Sequence, residues 1–150
     1  MIRPAEITDQ AAWLRIRNDP EALFWSGQRQ PIPEETHARW FTRTLTSPRE
    51  HLAVIEESNN LYGIKPQPGR VVGYSRIQEV GVVSLALEPG MRGHGLGTML
   101  LLDAENTARQ AKLRGLLAVI HPGNTGSLRA FMRAGYAVHP VNESVVFLTL

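Results

Sequence analysis

The sequence EPGMRGHGLGT, residues 88–98, decides the fold of this 150-residue chain. It comes directly after the strand-like run VVSLAL at 82–87 and directly before an apolar, helix-forming run that begins at Leu96. Glycine lets the backbone approach a ligand closely, and the N–H groups at the start of a helix converge where the helix dipole favours negative charge. The segment therefore predicts a strand–turn–helix unit that binds a phosphate group.

Two familiar phosphate loops do not fit this segment. The spacing Gly93-x-Gly95-x-Gly97 lacks the final two-residue gap of a dinucleotide fingerprint. No Lys-Ser or Lys-Thr pair follows a glycine, as a mononucleotide P-loop requires. NAD and ATP are therefore disfavoured, and the structural alternative is a plain turn that uses glycine for tight packing of the strand on the helix.

The chain after the turn alternates between helix and strand. Its apolar spacing predicts a helix from about Leu96 to Leu113 with Gly115 as the C-terminal cap, followed by a buried strand at 116–120. A second helix is predicted to begin at Asn124 and to end at Gly135. Its apolar face would consist of Leu128, Phe131 and Met132, and the last strands would be residues 136–138 and 145–150.

Four strands are predicted before the glycine turn. They are residues 2–7, 51–56, 71–77 and 82–87. Residues 58–70 are rich in Asn, Gly and Pro and predict a long surface loop. The tight connection at 78–79 makes the third and fourth strands a hairpin.

Two helices are predicted between the first and second strands. Thr8 or Asp9 caps the first, whose apolar side is Trp13, Leu14 and Ile16. Pro33 opens the second, because proline is tolerated in a first helical turn and the acids Glu34 and Glu35 suit the positive end of the dipole. On this helix one face carries His37, Trp40 and Phe41.

Length and composition narrow the function classes. A chain of 150 residues with 43% hydrophobic and 20% charged residues predicts a single globular domain spanning residues 1–150. No apolar run approaches ~18 residues and residues 1–4 lack a hydrophobic signal core, so we expect no membrane partner and a cytoplasmic location. The net charge of +2 disfavours nucleic acid, and the absence of cysteine together with five scattered histidines predicts no metal.

The glycine turn resembles the pyrophosphate loop Arg/Gln-x-x-Gly-x-Gly/Ala of the GCN5-related N-acetyltransferase (GNAT) superfamily, which residues 92–97 match fully. A second family element, Asn-x-x-Ala/Ser-x-x-x-Tyr ending in Gly-Phe/Tyr, is similar to a downstream set. That set is Asn124, Ser127, Phe131, Gly135 and Tyr136. Residues 2–5 and the segment 72–74 are also similar to segments that are common in this family. The resemblance implies an α/β (α+β) fold whose mixed, mostly antiparallel sheet splays between strands 4 and 5, with about four flanking helices.

The same resemblance implies acetyl-CoA as the acetyl donor. Its pyrophosphate would lie on the amides of residues 92–97 and its pantetheine between strands 82–87 and 116–120, where the N–H of Leu85 could polarise the thioester carbonyl. The residues implied in cofactor binding are Leu85, Ala86, Leu87, Arg92, Gly93, His94, Gly95, Leu96, Gly97, Thr98, Asn124, Ser127 and Phe131.

The catalytic acid and base are not fixed by the motifs. The family commonly places a tyrosine at the position of Phe131, and phenylalanine cannot protonate the leaving thiolate; Tyr136 is better interpreted as a core residue. Ser84 in the fourth strand is small and neutral, and the nearest carboxylates, Glu79 and Glu88, fall at the two ends of that strand. The candidates for catalysis are His121, Glu79 and Ser84, with His121 having a suitable intrinsic pKa. A structural role for the histidine is the alternative.

The N-terminal third resembles the branch of the family that acetylates the 4-amino group of UDP-linked amino sugars in pseudaminic acid biosynthesis. The shared feature is an Arg-Asn-x-Pro element, here residues 17–20, followed by a helix that carries a histidine. The implied substrate-binding residues are Arg17, Asn18, Trp25, His37 and Trp40. Alternatives are another amine, such as a polyamine, an antibiotic or a peptide amino terminus, and a non-catalytic acyl-CoA-binding module. A homodimer is an expected assembly.

Overall fold

The strands divide into two antiparallel sheets. The computed structural model describes residues 1–57, 67–144 and 146–149. The first sheet has the order β1-β2-β3-β4, formed by Ile2–Pro4, His51–Glu56, Val71–Ile77 and Val83–Leu87. The second has the order β5-β7-β6, formed by Leu117–Ile120 (β5), Ala137–Pro140 (β6) and Val146–Thr149 (β7).

The two sheets meet at one point, which creates the opening between them. Val82 and Leu117 form an isolated parallel bridge, and the N–H of Leu117 donates to the carbonyl of Gly81 at 3.0 Å. Beyond this bridge β4 and β5 have no ladder pairing in the described part of the chain. The predicted mixed, mostly antiparallel sheet that splays between its fourth and fifth strands is therefore confirmed.

Helices cover both faces of the first sheet. The helices of the described residues are α1 (Gln10–Arg17), α2 (Pro20–Trp25), α3 (Glu34–Leu45), α4 (Leu96–Gln110) and α5 (Thr125–Arg133), of which α1, α3 and α4 pack on this sheet. On one face Trp13 and Phe41 pack against Tyr74, whereas on the other Leu100 of α4 packs against Val72. A third cluster joins α4 and α5 to the second sheet through Leu101 and Phe131. The glycine turn therefore lies between the first sheet and α4, both of which are fixed by these clusters.

Short helix α2 lies between two of the predicted helices and was not expected. The carboxylate of Asp19 accepts a hydrogen bond from the N–H of Ala22 at 3.1 Å, and Pro20 occupies the first helical position. This raises the helix count among the described residues from about four to five. The Arg-Asn-Asp-Pro element is therefore a helix start.

The first strand and first helix begin and end differently from the prediction. β1 ends at Pro4, because residues 7–9 form a 3-10 helix instead of continuing the strand. Asp9 does not cap α1 with its side chain; its carboxylate accepts the N–H of Glu6 at 2.7 Å and pairs with Arg3 at 2.8 Å. Leu14 is only half-buried, so the core of α1 is Trp13 and Ile16.

Helix α4 ends earlier than predicted. It stops at Gln110, Lys112 adopts a left-handed φ of 56°, and the N–H of Leu113 closes the turn on the carbonyl of Ala108 at 2.9 Å. These are the bonds of a left-handed C-terminal cap with lysine in the place that glycine usually takes. The prediction of Gly115 as the cap was therefore wrong.

The start and end of α5 agree with the prediction. The side-chain oxygen of Asn124 accepts the N–H of Ser127 at 3.2 Å, and Gly135 ends the helix with φ 95°. Phe131 is buried as expected, but Met132 is 57% exposed and does not belong to the buried face. Most of the predicted loop at 58–70, and residues 145 and 150 of the last predicted strand, lie outside the described residues.

Candidate active site

A cavity of about 1120 Å³ opens where β4 and β5 separate. The glycine turn and α5 line one side, and residues of α1, α2, α3 and β3 line the other. We call these the donor half and the acceptor half of the cavity. The predicted site residues can be placed against this frame.

The glycine turn gives the donor half a surface of backbone. Gly93 and Gly95 have φ values of 79° and 84°, and Gly95 is the residue directly before α4. An added Cβ at either position would meet no atom within 4 Å, so open space lies beside the turn. Amides at this helix start therefore face room for an anion, as a pyrophosphate site requires.

Two residues of the predicted cofactor set do not line the cavity. Leu96 is buried in the core beside Leu100, since it is the first residue of α4 and packs under the sheet. His94 is exposed and is not among the lining residues. The other predicted residues of the set all line it.

Arg92, the first residue of the loop motif, is turned toward α2. Its guanidinium pairs with Asp19 at 2.6 Å and with Glu21, and its Nε donates to the carbonyl of Leu87 at 3.1 Å. Arg92 lines the cavity, yet two carboxylates already compensate its charge. This contact also ties the acceptor-half helix α2 to the cofactor turn.

Strand β4 presents its unpaired edge to the cavity. Gln78 donates to the carbonyl of Val82 and Glu88 to that of Val72, both at 2.9 Å. Because bonded pairs alternate along an antiparallel ladder, Ser84 and Ala86 bond with β3, and the N–H of Leu85 points away from β3 toward β5. The donor predicted to polarise a carbonyl therefore has the required direction.

Phe131 lines the cavity from α5 although it is only 2% exposed. Its ring meets the edge of Tyr136 with centroids 5.0 Å apart. Burial raises the pKa of Tyr136 to about 12, and the Tyr136 hydroxyl has no hydrogen-bond partner in the described part of the chain. Tyr136 does not line the cavity, which agrees with its interpretation as a core residue.

The three predicted catalytic residues have different positions. His121 and Ser84 line the cavity. Glu79 does not; it lies in the β3–β4 turn and pairs with Arg49 at 3.0 Å, so a catalytic role for it has no structural support. Glu88, the other nearby acid, is buried and paired with Arg15 and Arg70.

His121 accepts a hydrogen bond through Nδ1 from the N–H of Gly123 at 3.0 Å, and its ring lies 5.5 Å from that of Trp25. The neutral ring therefore carries its proton on Nε2. In this arrangement Nδ1 is already occupied, and His121 would have to release Gly123 before it could accept a proton there.

Four of the five predicted substrate residues line the acceptor half, namely Arg17, Trp25, His37 and Trp40. Asn18 does not, because its side chain is used within the fold: it donates to the carbonyl of Ile32 at 2.9 Å and accepts the N–H of Ile32 at 2.8 Å. His37 is buried, with Nδ1 3.1 Å from the Gln10 amide nitrogen.

The sequence of the chain matches the model of the acetyltransferase (GNAT) domain family over residues 1–137. The chain belongs to the GNAT family. It is thus an N-acetyltransferase by family, and the family match favours an enzyme over a non-catalytic acyl-CoA-binding module. A relative in Bacillus subtilis (strain 168), provisionally named phosphinothricin acetyltransferase YwnH, is 28% identical over 137 residues, which cover 91% of this chain and 83% of the relative.

Solved structures repeat the fold of this acetyltransferase. A ribosomal-protein-alanine N-acetyltransferase from Brucella melitensis has a TM-score of 0.80 at 22% identity and covers 100% of this chain and 98% of its own. A GNAT phosphinothricin acetyltransferase from Sinorhizobium meliloti, in complex with AcCoA, has a TM-score of 0.82 at 19% identity, with coverage of 100% and 86%. At these identities the likeness concerns the fold.

The acetyltransferase cavity is more basic than the sequence motifs indicated. Seven arginines line it, and Glu21 is the one acidic lining residue among those described. The arginines are Arg17, Arg39, Arg43, Arg76, Arg92, Arg129 and Arg133. Of these, Arg76 pairs with Glu50 at 2.6 Å and lies 5.2 Å over the Trp40 ring. The excess of arginine over lysine, 14 against 2 in the sequence, was the one available signal.

Tyr74 is a further acceptor-half residue that only the structure identifies as a site residue. It stacks on Trp13 with centroids 4.0 Å apart and lines the cavity opposite Ala86 in the β3–β4 register. Burial raises its pKa to about 12, so its hydroxyl stays protonated at neutral pH.

Among described residues no group of three His, Cys, Asp or Glu side chains could hold a metal, and no helix could cross a membrane.

Proposed function

We propose that the protein is an acetyl-CoA-dependent N-acetyltransferase that acetylates the primary amine of a small, anionic molecule, with a nucleotide-linked amino sugar as the favoured acceptor. The observation that carries this proposal is the single cavity that joins two chemically different halves. One half offers helix-start amides and an open strand edge, and the other offers arginines and aromatic rings.

The donor half fits acetyl-CoA. The turn at 92–98 would hold the diphosphate on its amides, and Asn124 and Ser127 line the path beside it. The pantetheine would lie in the gap between β4 and β5 and pair with the open edge of β4 as an added strand does. The thioester oxygen would then receive the N–H of Leu85, which stabilises the charge that develops there.

Transfer requires a neutral amine beside the thioester. The amine nitrogen attacks the carbonyl carbon, the carbon–nitrogen bond forms, and the carbon–sulfur bond breaks to release the thiolate. The proton lost from the nitrogen passes to solvent, directly or relayed by the Ser84 hydroxyl, or to Nδ1 of His121 once it has released the N–H of Gly123. The thiolate takes a proton from solvent because Phe131 has none to donate. A thiol with a pKa near 8.5 is a tolerable leaving group without a protein acid.

The charge of the acceptor half favours an anionic acceptor. Arg17 has no carboxylate partner among the described residues; its guanidinium donates to the Ser26 hydroxyl at 2.8 Å. Arg43 on the neighbouring helix α3 likewise has no described ion pair. Arginine binds phosphates bidentately, and Trp25 and Trp40 could stack on a base or sugar ring. A polyamine would bring several positive charges to these arginines.

The proposed substrates also bear on location and assembly. Acetyl-CoA and nucleotide-linked sugars are cytoplasmic metabolites, which supports a cytoplasmic location. Nucleic acid and membranes are not expected partners, and a homodimer stays a prediction.

The experiment is a thiol-release assay with acetyl-CoA and an amine panel. The panel contains a UDP-linked 4-amino sugar, the same amino sugar without its nucleotide, a peptide with a free amino terminus, and a polyamine. We expect the highest kcat/KM for the UDP-linked sugar. Preference for the nucleotide-free sugar, the peptide or the polyamine would overturn the anionic acceptor. Tight CoA binding by calorimetry without release for any amine would overturn the enzymatic proposal.

A further inference from the structure

Helix α5 presents a basic stripe to the cavity. Gly126, Arg129, Ala130 and Arg133 all line it, and their i, i+3, i+4, i+7 spacing places them on one helix face. A Cβ added at Gly126 would meet nothing within 4 Å. Gly126 thus leaves room for a ligand against the helix, and the two arginines follow it on the same face.

The stripe lies beside the glycine turn. The Cβ of Ala130 is 3.5 Å from the place where Gly97 would carry a Cβ, so the middle of α5 touches the first turn of α4. Arg133 lies nearly one turn further along α5, about 4–5 Å along the axis from Ala130. A ligand bound on the turn therefore has these two guanidinium groups within reach.

The charges of the stripe are uncompensated within the fold. Arg129 and Arg133 have no ion pair or hydrogen bond with a described residue, and both are exposed. Arg92, the loop arginine, is already paired with two carboxylates. At the donor end of the cavity the available positive charge therefore belongs to α5.

We infer that Arg129 and Arg133 bind the ribose 3′-phosphate of CoA and make the enzyme discriminate CoA from 3′-dephospho-CoA. This rests on the proposed acetyl-CoA donor. CoA carries its diphosphate between pantetheine and ribose, and the 3′-phosphate is a separate group close to dianionic at neutral pH. With the thioester at Leu85 and the diphosphate on the turn, the ribose continues beyond the turn. The stripe on α5 offers this phosphate two guanidinium groups, which suit its oxygens.

The test compares CoA with 3′-dephospho-CoA, which differ only in this phosphate, by calorimetry. Wild type should bind CoA at least about tenfold more tightly, as expected for hydrogen bonds between charged groups. In the double variant Arg129→Gln/Arg133→Gln, CoA affinity should fall to that of 3′-dephospho-CoA, and the affinity for 3′-dephospho-CoA should stay unchanged.

A matched control removes the same charge elsewhere. Arg109→Gln/Arg114→Gln changes two exposed arginines that do not line the cavity, and it should leave the CoA preference intact. Equal binding of both ligands by wild type would overturn the inference, as would an equal loss of both in the α5 variant. These results would leave the proposed donor standing, whereas binding of neither ligand by wild type would overturn the donor and the inference with it.

The wild-type comparison stands even if the double variant unfolds. Single Arg129→Lys and Arg133→Lys variants retain the charge and should keep part of the preference, because a lysine makes a single point contact where arginine makes two. A full preference in an Arg129→Gln variant and also in an Arg133→Gln variant would overturn the assignment to this pair.

Discussion

The donor and acceptor halves of the cavity are built in opposite ways. The core of the donor half is local: one turn at 92–98 and the strand edge just before it supply backbone groups, and α5 adds side chains beside them. The acceptor half is assembled from side chains on α1, α2, α3 and β3 that are up to about sixty residues apart in sequence, from Trp13 to Arg76. The donor half therefore depends mainly on the backbone conformation of one segment, whereas the acceptor half depends on which side chains the fold brings together.

This difference predicts separable mutants. A substitution that alters backbone or charge at the turn should act on acetyl-CoA alone, and one that removes an acceptor-half side chain should act on the amine alone. The β3–β4 ladder joins the two halves through backbone, and the Arg92 contact with α2 joins them through side chains.

The largest effect is expected for Gly95→Asp. Gly95 has φ 84° and precedes α4, so an aspartate places bulk and negative charge where the diphosphate would lie. CoA affinity measured by calorimetry should fall about 100-fold or more, the loss expected when strong charge-assisted bonds are replaced by repulsion. Gly95→Asn has nearly the same shape and tolerates left-handed φ, and it should lose much less. Unchanged CoA affinity in a folded aspartate variant would contradict the loop assignment.

The second effect should appear in the acceptor half alone. Arg17→Gln removes a guanidinium whose one described hydrogen bond goes to Ser26. The KM for the anionic acceptor should rise about tenfold, with the KM for acetyl-CoA unchanged. Arg114→Gln, exposed and outside the cavity, is the matched control. If both KM values rose together, the two halves would not be separable at Arg17.

The same contrast explains what the sequence could and could not predict. The turn, the cap at Asn124, the hairpin β3–β4 and the splay depend on local spacing and on the family resemblance, and they are confirmed. Asn18 was assigned to substrate from its motif, but only the fold shows that both its polar atoms hold Ile32. Nothing in the sequence assigned Arg76 or Tyr74 to the cavity, because their place there follows from sheet register.

A smaller effect concerns the pH dependence of stability. Burial, and then the charge of Arg17, lower the pKa of His37 below its usual 6.5. The unfolded chain then takes up a proton at higher pH than the folded one. The neutral His37 side chain therefore makes its full contribution to the free energy of unfolding above about pH 6.5, and this contribution falls progressively as the pH drops below that value. His37→Gln should lose less Tm than wild type between about pH 7.5 and 5.5 in thermal melts. An equal decrease in Tm for the variant and for wild type would show that His37 does not contribute to the pH dependence of stability.

The smallest and most informative change is Phe131→Tyr. Phe131 lines the cavity and also packs on Tyr136, so it belongs to the donor half and to the core at once. A hydroxyl added to a ring of nearly the same shape should keep the packing if it points into the cavity. There it could protonate the leaving thiolate, a gain that appears in kcat only where proton transfer limits the rate.

We therefore expect the Phe131→Tyr variant to have a kcat equal to wild type or up to about tenfold higher, with unchanged CoA affinity and Tm. Phe131→Leu, which removes ring area and adds no hydroxyl, is the packing control and should lower Tm by several degrees, about the effect of a partly filled core cavity. A tyrosine variant that melts as low as the leucine variant and no longer binds CoA would place the para position of residue 131 in the apolar core. In that case the backbone of the donor half would follow the family motif, but the side chain at residue 131 would not. The family motif would then predict where backbone groups lie in this cavity and would not predict where side chains point.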